Sequence, residues 1–143
     1  MNSDQCFRKA EMMMRSILVG VLMLMLCACS RQKEPTPEEL ASQAAKEYYD
    51  RLMTGDYEAF LSGKAGADSL PADYRTQLLK AYELYKQELD QTYGGIAEVT
   101  ISNARCDSTQ QLMHAFLLLH FKDSVKEEIT VPMVQREGQW KMR

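Results

Sequence analysis

Groups able to do chemistry are few in this chain. Its two histidines, His114 and His120, stand in one apolar run, LMHAFLLLHF. If that run is a strand, its rise of about 3.3 Å per residue puts the two imidazoles roughly 20 Å apart, so they cannot share a metal ion. No second cluster of Cys, His or Asp has ligand spacing, so no metal and no cofactor is expected. Gly94-Gly95 lacks the further glycines and the following helix of a phosphate-cradling loop. Acid–base chemistry is the remaining option. Tyr74, Tyr82 and Tyr85 recur at helical spacing, and a buried His114 beside one of them could move a proton. The same histidine could instead be a core residue donating to one tyrosine hydroxyl, the tyrosines making core with wet tips. His120 is expected to form a surface ion pair with Glu127, and Cys106, with no motif around it, reads as a bland half-buried thiol.

The other three cysteines, Cys6, Cys27 and Cys29, precede the region of helical and strand patterning. Ile17 to Cys29 is almost uninterrupted apolar sequence, about two thirds of the roughly 20 residues a membrane-spanning helix needs. Met14-Arg15-Ser16 supplies a short basic region before it, and Leu26-Cys27-Ala28-Cys29 a small-residue exit, so residues 1–28 read as a signal peptide. Asp4 and Glu11 fit such a region poorly, which points to Met14 as an alternative start. Leu26-Cys27-Ala28-Cys29 resembles the lipobox of bacterial lipoproteins, which implies acylation of Cys29 as residue one of the mature chain. Residues 29–36, polar and containing Pro35, are then a lipidated tether. The expected location is the cell envelope, on the outer membrane of a Gram-negative bacterium, at its periplasmic or surface side, with lipid at Cys29 as the membrane contact. Cys106 alone would remain in the folded part, so no internal disulfide is expected. A net charge of -3 and a pI near 5.4, with no basic cluster interleaved with aromatics, argue against nucleic acid.

Residues 37–143 read as a single domain. Thr36-Pro37-Glu38-Glu39 combines a Thr N-cap, Pro at the first helical position and Glu at N3. Ala41, Ala44, Ala45, Tyr48, Leu52 and Met53 follow as one apolar stripe, and Gly55 ends the helix. Asp56 caps a second short helix that buries Tyr57, Phe60 and Leu61. A third helix is expected from about Pro71 to Gln91 and is stopped by Gly94-Gly95. After Gly95 the period changes to 2 and four antiparallel strands follow: the first around Ala97, Val99 and Ile101, then Gln110 to Lys122, Val125 to Gln135 and Gln139 to Met142. The fold class is α+β, three N-terminal helices packed on a curved four-stranded antiparallel sheet.

With Asp123-Ser124 as a two-residue turn, Leu118 stands opposite Ile129, Phe116 opposite Val131, His114 opposite Met133 and His120 opposite Glu127. Glu137-Gly138 makes the next turn, with Met142 opposite Met133 and Trp140 opposite Gln135. His114 then sits at the floor of a pocket with Met133, Met142 and Tyr74, Tyr82 or Tyr85, its ring kept neutral by burial. Met113, Ala115, Leu117, Leu119 and Phe121 face outward, and so extended an exposed apolar patch suggests a weak homodimer through the outer sheet face.

"YYDRLMTGDYEAFLSG" (Tyr48 to Gly63) and "VPMVQREGQWKMR" (Val131 to Arg143), with the order of elements, resemble small lipoproteins of the nuclear transport factor 2-like superfamily, cone-shaped α+β domains. The small strand usual between their second and third helices has no counterpart in the pattern of Lys64 to Ser69. Two functions follow as expectations. The first is a non-catalytic envelope module that binds a small apolar ligand in its cone, or a partner protein. The second, implied by superfamily members that move protons inside the cone, is an isomerase- or dehydratase-like enzyme using His114 and a tyrosine. A filled interior would exclude both small-molecule readings and leave protein interaction.

Overall fold

The computed structural model describes residues 33–143; the segment expected to be a signal peptide, Cys29 and the first part of the expected tether lie outside the described residues. Thr36 opens α1 (Pro37–Met53): its hydroxyl accepts from the Glu39 amide at 3.2 Å while its own amide donates to Glu39 Oε2 at 2.8 Å. That reciprocal pair satisfies two orphan donors. Gly55, at φ 78°, takes the left-handed conformation that ends the helix. The side chain of Asp56 caps α2 (Tyr57–Ser62), accepting from the Ala59 amide at 3.1 Å. A 3₁₀ turn (Ala67–Ser69) leads to α3 (Ala72–Tyr93), which ends at Gly94 with φ 75°. β1 (Ile96–Asp107), β2 (Leu112–Phe121), β3 (Lys126–Arg136) and β4 (Gln139–Met142) form one antiparallel meander in that spatial order.

The helices pack on one face of the sheet. Ala41, Ala45 and Leu52 of α1 and Phe60 of α2 meet Val99 of β1, Val131 and Met133 of β3 and Met142 of β4. The centre of that core is Met113, Ala115, Leu117, Leu119 and Phe121, the alternate residues of β2, each no more than 5 % exposed. This corrects the expected register. Met133 pairs with Met113, Val131 with Ala115 and Ile129 with Leu117, one residue away from the expected partners on β2. The cause is the turn. Phe121 and Val125 close a three-residue loop: the Ser124 amide donates to Phe121 O at 3.1 Å, the Val125 amide to Asp123 Oδ1 at 3.0 Å, and Ser124 stands at φ 77°. A type I turn followed by one left-handed residue is the favoured three-residue hairpin. Because side chains alternate, that single slip moves every β2 residue to the opposite face. The β3–β4 hairpin is as expected: Glu137 and Gly138 both have positive φ, and Met133 pairs with Met142, Gln135 with Trp140.

Between α2 and the 3₁₀ turn, where no strand was expected, Lys64 forms an isolated parallel bridge with Met142. The Met142 amide donates to Gly63 O and the Ala65 amide to Met142 O, both at 2.7 Å. The free edge of β4 is thereby paired in part.

Candidate binding groove

The slip in β2 separates the residues expected to form an interior pocket. His114 lies on the outer face, opposite Arg105 of β1 and Pro132 of β3, with Nε2 3.8 Å from Asp107 Oδ2. Met133 and Met142 are core, 0 % and 3 % exposed. Tyr74 and Tyr85 are 49 % and 41 % exposed on α3, while Tyr82 stands edge-on to Phe60 with ring centroids 4.9 Å apart. No His114–tyrosine pair is assembled, and the geometry a proton relay would need is missing. His120 is placed differently too: its Nε2 lies 2.9 Å from Thr100 Oγ1, and Glu127 stands opposite Leu119.

The outward face of the sheet is therefore the one with His114, Phe116, Leu118 and His120, and the residues expected to drive dimerisation are inside. Its apolar pair is roofed by polar side chains. Arg105 stands 6.0 Å from the Phe116 ring centroid, and Ser102 of β1 donates to Glu128 of β3 at 2.6 Å. As residues 102 and 128 belong to the strands either side of β2, that bond passes over it.

A groove of about 680 Å³ opens at the rim of the domain, between α1, α2 and the β3–β4 hairpin. Tyr48 and Trp140 supply its aromatic surface, Leu40 and Ala44 its aliphatic wall, and Glu47, Arg51, Gln135 and Gln139 its polar margin. The two aromatics are held from below. Tyr48 donates to Trp140 O at 3.0 Å, joining α1 to β4 across the sequence. Its ring lies flat on Gly63, where any Cβ would collide with it. Lys141 Nζ donates to Ser62 O at 3.0 Å and stands 6.0 Å from the Tyr48 ring centroid. A rigid aromatic floor with amides and opposite charges at its margin can receive an extended chain, taking side chains on the rings and backbone groups on the glutamines.

None of these groove residues was singled out for chemistry in the sequence, although Tyr48, Gln135, Gly138, Gln139 and Trp140 all fall inside the two motifs that carried the fold resemblance. The signal was an aromatic residue at the start of one motif and another near the end of the other, far apart in sequence.

No protein-family model matches the chain, and no curated protein is significantly similar to it. Among solved structures, the chain is similar to a candidate NTF2-like transpeptidase from Campylobacter jejuni, at 15 % identity and a TM-score of 0.52, over 70 % of this chain and 94 % of that one. With three helices on one face of a four-stranded antiparallel sheet, the described part of this chain has the nuclear transport factor 2-like fold.

Proposed function

We propose that the protein is a lipid-anchored envelope lipoprotein whose domain holds an extended segment of a partner protein in the groove between α1, α2 and the β3–β4 hairpin, without catalysis. The observation that carries this reading is where the space lies. Leu52, Leu61, Val99, Leu117, Leu119 and Met133 occupy the interior at 2 % exposure or less, whereas the opening of about 680 Å³ is at the rim and lined by polar and apolar groups together. Small apolar ligands are held in concavities that bury most of their surface, and an open, half-polar groove suits a peptide better. From the sequence side the lipobox-like Leu26-Cys27-Ala28-Cys29 supports the reading, since acylation there would keep the domain close to other envelope proteins.

A photo-crosslinking amino acid at position 40 tests the proposal, because Leu40 is 41 % exposed on the groove wall. In the native host, position 40 is expected to yield a discrete protein adduct that Gln139→Lys removes. The same probe at position 74, on α3, is expected to yield none. Equal labelling at both positions, or a small-molecule adduct alone, would count against partner binding in the groove.

A further inference from the structure

A partner segment can be taken up by an α+β domain as a strand added to a sheet edge, as an amphipathic helix in an apolar groove, or as a polyproline II chain on aromatic rings. Both edges of this sheet are closed to an added strand. β1 breaks register twice, between Ile96 and Glu98 and between Ile101 and Asn103, and its Ala104 amide donates to Asn103 Oδ1 at 2.8 Å. Bulges of this kind interrupt the ladder that a new strand would need. On β4, beside the groove, the Met142 amide and carbonyl are bonded to Gly63 and Ala65, and the Trp140 carbonyl accepts from Tyr48. An amphipathic helix needs apolar anchors over at least two turns. The aliphatic wall of the groove is only Leu40 and Ala44, one turn apart.

The third form fits the groove. A polyproline II helix has no internal hydrogen bonds, so its carbonyls need donors from outside, and its prolines have no N–H to satisfy. It therefore asks nothing of the β4 carbonyls, which are already used. Donors stand beside the rings, in the side-chain amides of Gln135 and Gln139 and the indole N–H of Trp140. Building on partner binding in the groove, on which this step rests, we propose that the bound segment is proline-rich and held as a left-handed polyproline II helix. Its prolines lie on Trp140 and Tyr48, and its carbonyls accept from the three donors.

Trp140 is the single tryptophan of the chain, so its emission reports on the groove directly. The test is fluorescence titration of the full chain in nonionic detergent with capped nonaproline and with its all-D mirror image, which has the same composition and the opposite hand. Saturable binding of the L peptide is expected, with the D peptide weaker by about tenfold or more. Tyr48→Leu should weaken the L peptide by about tenfold and Gln139→Ala by about fivefold. Tyr74→Ala, at an exposed aromatic on α3 outside the groove, should bind as wild type does. Equal binding of the two hands, or no response of Trp140 to nonaproline, would overturn the proposal. An adduct at position 40 formed by a segment without proline would overturn it too, while leaving partner binding in the groove intact; absence of any adduct there would remove both.

Discussion

Tyr49, Phe60 and Tyr82 meet edge to face, at 5.4 and 4.9 Å between ring centroids, and their burial has its cost at the hydroxyl groups. The Tyr82 hydroxyl is buried with no hydrogen-bond partner. Removing an unsatisfied group while keeping the ring should be neutral or favourable, so Tyr82→Phe is expected to leave stability unchanged or raise it by about 1 kcal/mol in chemical denaturation. The Tyr49 hydroxyl is pushed up to about 12, first by burial and then by the nearby Tyr85 and Tyr82. A raised folded-state value means that Tyr49 contributes stability in full below pH 10, the unfolded value, and loses it as pH rises through about 12. At about 1.4 kcal/mol per unit the contribution is on the order of 3 kcal/mol. Half-buried Lys64, lowered by burial, works with the opposite sign, so the informative quantity is a difference. Wild type should lose stability more steeply than Tyr49→Phe between pH 10 and 12, and parallel curves would contradict this. The sequence showed the tyrosines at helical spacing, but spacing cannot say which hydroxyl finds a partner, since that depends on side chains far along the chain.

At the scale of elements, helix boundaries were legible because caps and glycines act locally: Thr36, Asp56 and Gly94 sit where the pattern placed them. The β3–β4 hairpin was legible for the same reason, Glu137-Gly138 being a turn with positive φ at both central residues. The β2–β3 turn was not. Asp123-Ser124 resembles a two-residue turn in composition, yet Asp123 spends its carboxylate on the Val125 amide and only Ser124 turns left-handed. A global signal was available, since one face of β2 carries Met113, Ala115, Leu117, Leu119 and Phe121 while the other carries both histidines, and burial favours the first. Ser124→Gly should relieve the left-handed backbone and raise stability by up to about 1 kcal/mol. Gly63→Ala should do the reverse, by about 1–3 kcal/mol, because its methyl group would displace the Tyr48 ring. Thermal unfolding of the two variants checks both.

For the whole molecule, the N-terminal sequence and the domain have to be read together. Cys29→Ala is expected to release the protein from membranes or stall its processing, because acyl chains contribute roughly 0.8 kcal/mol per buried CH₂ and more than one chain makes anchoring stable. Palmitate labelling of the variant as strong as that of wild type would contradict this. The class of fold was legible from three helical patterns followed by four strand patterns, because the order of elements limits which layers can pack. The functional surface was not, because the groove joins Leu40 and Tyr48 to Gln139 and Trp140 from opposite ends of the domain, and only the folded chain brings them together. The central claim is that function resides in this groove and not behind the sheet. The most direct measurement is the affinity of the cross-linked partner segment for wild type, Leu40→Asp and His114→Phe. A weakening of about tenfold or more in Leu40→Asp, with His114→Phe binding as wild type, is the predicted result; loss of binding in His114→Phe with Leu40→Asp unaffected would contradict the account.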